Sequence, residues 1–242
     1  MKIIYFDTIP STNLYLKENY KELDNLTAVV CKHQTAGRGR LGRSWEDSDD
    51  LLMSILLKDN YGDNIESLSL LICVSILKVL KEYVNNVKIK WPNDILVNNK
   101  KICGILLESV VSQKIDCLVL GFGININHKE FSSELTNKAT SLSLENNKDY
   151  DVKEIASKIY ATFISDYQEY LDGNKEYLKE CRDNSCLLGK TINYCEGEDV
   201  KEADVVDILD NGHILLKVND QLIEKRSGEI TLHKSFYDKQ ND

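Results

Sequence analysis

Apolar positions recur along this chain in two rhythms, and the alternation between them predicts a mixed α and β fold. Met1 to Phe6 reads as a short strand, with Pro10 closing it off. Ser11 or Thr12 then stands where a helix N-cap belongs, followed by Leu14, Leu16 and Tyr20 as packing residues of a helix to about Tyr20. β-Branched and apolar residues over 27–32 and 51–57 predict two further strands. From 65 to 83, apolar residues fall at 68, 71, 72, 76, 79, 80 and 83, which is the period of a helix. Strands are predicted at 87–91, 95–97, 101–108 and 115–125, with Asn98-Asn99-Lys100 as a hairpin turn. Ile155, Ile159, Phe163 and Tyr167 stack along an amphipathic helix over 151–171, and a shorter helix follows at about 174–183. Beyond Gly189 the texture changes to short alternating strands, at 191–195, 204–209, 213–218, 221–225 and 229–233. Turn signals at Asp210-Asn211-Gly212 and Asn219-Asp220 separate them, a pattern that predicts a small antiparallel barrel or sheet.

Composition narrows the classes open to such a fold. A chain of 242 residues suffices for one large domain or two small ones. Its 39 acidic residues outnumber 30 basic ones, a net charge of −9 that sets the surface against DNA and other polyanions. Seven cysteines, at 31, 73, 103, 117, 181, 186 and 195, form no C-x-x-C pair and follow no secretory leader. Reduced, mostly buried thiols in a cytoplasmic protein are the expectation. The histidines at 33, 128, 213 and 233 have no zinc-ligand spacing. No apolar run reaches the roughly 18 residues of a membrane span; Leu68 to Leu80 comes nearest and is interrupted by Lys78 and serines. The chain reads as soluble, with no membrane partner.

One stretch runs against the acidic balance. Between Gln34 and Trp45, the residues Gly37-Arg38-Gly39-Arg40-Leu41-Gly42-Arg43 combine three glycines with three arginines. Glycine lets backbone bend and approach a ligand closely, and arginine grips phosphate or carboxylate oxygens through a planar fork. Together they predict a mobile cationic loop that folds over an anion. An exposed basic turn is the plainer alternative, but such a turn has no use for an amide and an indole at its ends. The loop is no common nucleotide motif: G-x-x-x-x-G-K-[ST] is absent, and no strand-to-helix glycine fingerprint surrounds it.

Four other segments carry candidate chemistry: Ser11-Thr12-Asn13, Lys88-Ile89-Lys90-Trp91-Pro92-Asn93-Asp94, Lys100-Lys101-Ile102-Cys103-Gly104 through Glu108, and Gly121-Phe122-Gly123-Ile124-Asn125. In this order and spacing, with the glycine-arginine loop, they resemble the biotin protein ligases (biotin–[acetyl-CoA-carboxylase] ligases). The resemblance runs from about residue 5 to 127, with a weaker echo at Gly228-Glu229-Ile230. It implies an α+β fold: a catalytic domain at 1–186, built as a mainly antiparallel sheet with helices, and a C-terminal SH3-like β-barrel at 187–242. It also implies ATP-dependent activation of biotin as biotinyl-5′-AMP, then transfer to a lysine of a biotin carboxyl carrier protein or domain. Biotin and ATP with Mg2+ are the substrates, and no tightly bound prosthetic group is expected.

The resemblance also distributes roles. Lys90, Arg40 and Lys101 are the catalytic cations: Lys90 grips the biotin carboxylate and then the adenylate, Arg40 closes over the phosphate, and Lys101 attends the triphosphate with Arg43. Ser11, Thr12, Asn13 and Gln34 belong to the ureido end of the biotin site, with Gly37, Arg38, Gly39 and Gly104 also along biotin. Trp45 and Asn125 belong to the adenine side, by stacking and by hydrogen bonds, and Asn93 to the ATP site. Asp94 is a candidate for orienting the amine or magnesium, and Glu229 a candidate neighbour of the site. From the residues alone, Ser11 is equally a plain N-cap, and a lysine at a strand end, as Lys90 is, usually just faces solvent. Proline at 92 ends strand pairing after Trp91 and places Asn93 and Asp94 in a turn. Some members of the family carry an N-terminal helix-turn-helix that binds DNA; here the first motif begins at Ser11, and no DNA binding is expected. A lipoate or octanoate ligase on the same fold, and a non-catalytic biotin-responsive regulator, remain as alternatives. Strands near Ile115 to Asn125 are the candidate edge of a homodimer.

Overall fold

Seven apolar strands pair into one sheet, and a helix that is apolar all round decides which face of it becomes the core. In the computed structural model, residues 2–40, 45, 48–196, 199–226 and 231–232 are described. The strands are β1 (Ile3–Ile9), β2 (Ala28–Gln34), β3 (Leu51–Leu57), β4 (Val87–Lys90), β5 (Asp94–Val97), β6 (Lys100–Val111) and β7 (Ile115–Ile124), in the order β1-β2-β3-β7-β6-β5-β4. Only β1 and β2 run parallel, joined through α1 (Thr12–Asn19). Every other pairing is antiparallel. β7 lies between β3 and β6 and is hydrogen-bonded on both sides, so the expected dimer edge at 115–125 is an interior strand.

A 3-10 turn (Ile65–Ser67) leads into α2 (Leu68–Leu80), in which every residue but Lys78 is buried. The periodic stripe understated this helix, because the sheet packs on one side of it and α4 (Val152–Leu171) and α5 (Glu176–Asp183) on the other. Even its polar positions are used inward. Lys78 Nζ reaches Asp166 Oδ1 on α4 at 2.8 Å, and Ser75 Oγ donates to Asp166 Oδ2 at 2.7 Å. A short α3 (Leu142–Asn146) has no counterpart among the expected elements; Ser141 caps it by accepting from Leu144 N–H. All seven cysteines are free thiols and only Cys195 is not fully buried. Burial pushes Cys186 up to about 11 and Cys181 to about 12, which keeps both protonated and unreactive. Among the described residues, no helix is long and apolar enough to cross a membrane.

The C-terminal strands β8 (Thr191–Glu196), β9 (Asp199–Ile208), β10 (Ile214–Val218), β11 (Gln221–Lys225) and β12 (Thr231–Leu232) form an antiparallel sheet ordered β11-β10-β9-β8-β12. Among the described residues this sheet stays open, so the expected barrel does not close. β9 begins five residues before its expected start at 204, because Asp199 to Glu202 are exposed on both faces and give no apolar alternation.

The two sheets share one apolar core, into which Ile192, Tyr194, Val205, Ile214 and Leu216 insert. Polar bonds fix the junction. Trp91, 1% exposed, donates its Nε1–H to Gly212 O at 2.9 Å, and Arg182 donates to Ile208 O at 2.6 Å and Asp210 Oδ1 at 2.6 Å. Gly212 has φ 81° and lies so near Ser67 that a Cβ would sit 3.0 Å from the serine Cβ. Beside it the buried His213 bridges Glu66, before α2, and Glu224, on β11, with Arg226 3.9 Å from Glu66.

Burial alone lowers the His213 pKa, but the hydrogen bonds and charges of the two glutamates together raise it above its ordinary value. A raised folded-state pKa means the bridge is at full strength below about pH 6.5 and is lost as pH rises through the raised value. The stability difference between the protein and its His213→Gln variant is therefore expected to be largest near pH 6 and to narrow by about pH 9. Urea midpoints across that range check it; a pH-independent difference contradicts the bridge.

Candidate functional site

Side chains alternate across a strand, so each strand of the large sheet presents every second residue to the face turned away from α2. On that face the register aligns Leu52, Gly123, Gly104, Asp94 and Lys90 in one row across β3, β7, β6, β5 and β4. The next row is Ser54, Gly121 and Leu106. Their neighbours Met53, Phe122 and Ile105 point into the main core. α1 covers only one end of this face, where Leu16 packs on Leu56 and Val119. Three glycines thus floor an uncovered trough, which forms a cavity of about 860 Å³.

The glycines are required by what lies on them. A Cβ on Gly121 would stand 2.0 Å from Asn13 Oδ1, one on Gly123 2.5 Å from the Trp45 ring, and one on Gly104 2.8 Å from Lys101 Nζ. Distances under 3 Å force the neighbour to move, and the indole has little freedom to do so.

At one end of the cavity the N-terminus of α1 delivers Ser11, Thr12 and Asn13. Ser11 is the N-cap, accepting from Leu14 N–H at 3.4 Å, so its plain structural role is realised while it also lines the cavity. Gln34, at the end of β2, accepts from Thr12 N at 2.7 Å and lies 3.1 Å from Thr12 Oγ1. Asn13 Nδ2 donates to Glu108 Oε2 at 2.6 Å, and Ser54 Oγ stands 2.5 Å from Asn13 Oδ1 and 2.7 Å from Thr12 Oγ1. Lys17, one turn along α1, donates to Glu108 Oε1 at 2.6 Å. Ser54 and Lys17 escaped the motif reading, and Glu108, the last residue of the 100–108 segment, received no role in it. A lone serine in the apolar strand LLMSILL, and a lysine four residues after Asn13 on one helix face, were the signals available.

At the other end the cations gather. Lys90 ends β4 and is 7% exposed, so the sequence alternative of a solvent-facing strand end does not hold. Its register partner Asp94 begins β5, so only Asn93 of the expected turn pair lies in the turn. Lys101 Nζ is 2.7 Å from Asp94 Oδ1 and 5.8 Å from the Trp45 ring centroid. Arg40 donates to Asn93 Oδ1 at 2.8 Å, while Asn93 Nδ2 donates to Ile105 O at 2.7 Å. Asn93 thereby hooks the arginine loop onto the sheet, using both ends of its amide within the protein. The loop's ends also meet, through Trp45 N and Gly37 O at 3.4 Å. Gly37 packs against Gln34, and Arg38 and Gly39 line the cavity with Arg40.

Trp45 lies flat on the glycine floor with its Nε1 buried and without a partner among the described residues. Asn125 lines the cavity, but its Nδ2 is committed to Thr140 O at 2.9 Å. It therefore ties down the segment that brings Phe131, Leu135 and Lys138 to the wall, with one of its two amide protons. Arg43 and Glu229 lie outside the described residues. Asp94 faces a lysine, and among the described residues no three acidic, histidine or cysteine side chains cluster to hold a metal. An ion arriving with a phosphate ligand would bring its own oxygen partners.

The cavity is therefore polar and hydrogen-bonding at one end, aromatic at the other, and lined by Lys90, Arg40 and Lys101. Such a place suits a ligand that carries negative charge along its length and builds more of it during reaction.

Residues 4–125 match the family model described as the biotin/lipoate A/B protein ligase family. The chain is similar to the bifunctional ligase/repressor BirA of Bacillus subtilis (strain 168), 30% identical over 243 residues, covering 95% of this chain and 74% of that protein. It is also similar to the biotin–[acetyl-CoA-carboxylase] ligase of Mycobacterium tuberculosis, at 26% identity over 84% of this chain and 77% of that one. Among solved structures, the biotin protein ligase from Aquifex aeolicus in complex with biotin and ATP superposes with a TM-score of 0.86 at 31% identity, over 96% of this chain and 98% of that chain.

The glycine floor makes a prediction that needs no ligand. Trp45 and Trp91 are the two tryptophans, and Trp91 is sealed in the core. Gly123→Ala should lift the Trp45 indole off the sheet and shift part of the emission to the red, leaving the Trp91 component in place. Unchanged fluorescence would mean that Trp45 does not rest there.

Proposed function

The chain belongs to the biotin/lipoate A/B protein ligase family, and we propose that within it the protein is an ATP-dependent biotin protein ligase, a biotin–[acetyl-CoA-carboxylase] ligase. Biotin is activated as biotinyl-5′-AMP and passed to a lysine of a biotin carboxyl carrier domain. The observation that carries this reading is the nearly buried Lys90 in a glycine-floored cavity that also contains Arg40 and Lys101.

A carboxylate is a poor electrophile. In the first step the biotin carboxylate oxygen attacks the α-phosphorus of ATP, forming the mixed anhydride as the bond to pyrophosphate breaks. Two anions must approach, and charge grows on the phosphorus oxygens and the leaving group. Cations held in place beforehand, in a site with little water, lower that barrier without reorganising during the reaction. Lys90 is the group assigned to the carboxylate and then the adenylate phosphate, Arg40 to the phosphate, and Lys101 to the departing pyrophosphate. The Lys101–Asp94 pair holds that ammonium at the cavity wall. Mg2+ enters with ATP as part of the substrate.

In the second step the carrier's lysine amine attacks the biotinyl carbonyl and AMP leaves. No nucleophile from the protein is required. The adenylate must be kept from water in the interval, and the glycine-arginine segment, tied to Asn93 through Arg40, is the device assigned to that task. The polar cluster at Thr12, Asn13 and Gln34 suits the ureido ring of biotin; a dithiolane ring has no N–H or C=O to satisfy it. That favours biotin over lipoate. Residues 1–186 are taken as the catalytic unit and 187–242 as its C-terminal companion. The net charge of −9 disfavours a nucleic-acid partner, and the free buried thiols suit a reducing cytoplasm.

The test is transfer of labelled biotin to a carrier domain with ATP. Lys90→Ala should lower the rate at saturating substrates by about a hundredfold or more. Undiminished transfer in that variant would remove Lys90 from the mechanism, and absence of transfer by the parent protein would end the ligase reading.

A further inference from the structure

The polar end of the cavity holds more hydrogen-bonding machinery than ring recognition alone requires. Lys17, Glu108, Asn13, Ser54, Thr12 and Gln34 form one continuous chain of contacts across α1, β6, β3 and β2. We propose that Glu108, acting through Asn13 and Ser54, is a positioning residue that sets the direction of this chain and so selects the ligand's ring. The inference rests on the biotin reading of the site and deepens it.

The direction follows from counting protons. A carboxylate facing an ammonium accepts and does not donate, so Asn13 turns its NH2 toward Glu108 at 2.6 Å, with Leu106 O at 3.3 Å as a second, weaker acceptor on the same nitrogen. Asn13 Oδ1 then faces Ser54 and Gly121, and a carbonyl oxygen can only accept. The 2.5 Å contact to Ser54 therefore takes the single hydroxyl proton of that serine. With its one proton on Asn13, Ser54 can meet Thr12 Oγ1 at 2.7 Å only as an acceptor, and the Thr12 proton then has two acceptors in reach, Ser54 Oγ and Gln34 Oε1 at 3.1 Å. Gln34 Oε1 is held by the Thr12 backbone N–H at 2.7 Å, which fixes the orientation of its amide and turns the Nε2 donor away from α1. The settings of Asn13 and Ser54 follow from the charge of Glu108, the nearer of two acceptors on the Asn13 NH2, while Gln34 is set by the Thr12 backbone.

The outcome is a fixed pattern in which Asn13 Oδ1 and Thr12 Oγ1 accept and Gln34 Nε2 donates. A cyclic urea offers the complement, two N–H donors and one C=O acceptor, whereas a dithiolane offers neither. If position 108 could donate as well as accept, the Asn13 amide could turn over, Ser54 would donate to Thr12 instead, and Thr12 to Gln34. The Asn13 acceptor would then become a donor facing the ring N–H. Gly121 leaves the room for either orientation, since no Cβ obstructs the amide.

Glu108→Gln tests this because it keeps the shape and removes the one-way character. By titration calorimetry without ATP, the variant should bind biotin about tenfold or more weakly. Its KM for biotin should rise in step, with kcat and KM for ATP unchanged. Ser54→Ala should give a comparable loss, and the double variant should lose no more than the worse single one, because both act in one chain. A Glu108→Gln variant that binds biotin like the parent, equal rises in KM for biotin and ATP, or fully additive losses would each overturn the positioning role. Failure of the parent protein itself to bind biotin would instead overturn the reading of the site, and this inference with it.

Discussion

Three residues without a side chain determine what this sheet is for. Seven strands of mostly apolar residues would ordinarily be covered on both faces. Here α2, α4 and α5 cover one face, and Gly104, Gly121 and Gly123 keep part of the other bare. Their absent Cβ atoms allow Asn13, Lys101 and Trp45 to lie directly on the backbone. The same rows that carry the glycines also carry Ser54 and Lys90, so sheet register alone places a hydroxyl near one end of the trough and an ammonium near the other. A shift of one residue in any of these strands would send the polar groups into the core and a Met or Phe into the site.

That constraint explains which parts of the molecule were legible in the sequence. Strands and helices announced themselves wherever one face stays wet, as in the amphipathic α4. α2 showed a narrower stripe than it buries, because Ser69 and Ser75 look polar while both are buried. β9 was half hidden, since its first four residues, Asp199 to Glu202, are exposed on both faces and show no alternation. α3 is too short to show a period.

The candidate site divides in the same way. Lys90, Arg40, Lys101, Thr12, Asn13, Gln34 and Trp45 came from motifs, and all line one cavity. Ser54 and Lys17 did not, and Glu108 lay in a motif without a role, because they meet the others only through pairings between strands and a helix distant in sequence. Asn93 and Asn125 show a different limit. Motif reading gave both to ATP, and the structure adds a second use for each: one amide proton goes to Ile105 O or Thr140 O, where it holds a loop that forms the wall. A motif identifies residues the site needs without saying which of them touch the ligand. The C-terminal sheet adds a related point: Trp91, inside the KWPND motif, bonds to Gly212 and so links the strand bearing Lys90 to the second sheet.

The central claim is that this cavity activates biotin by forming an adenylate, and the most direct measurement is exchange of labelled pyrophosphate into ATP with no acceptor protein present. Biotin should support exchange, and lipoate at the same concentration should not. Exchange with lipoate alone would move the protein to the other branch of its family, and exchange with neither acid would mean that the cavity binds its ligands without activating them.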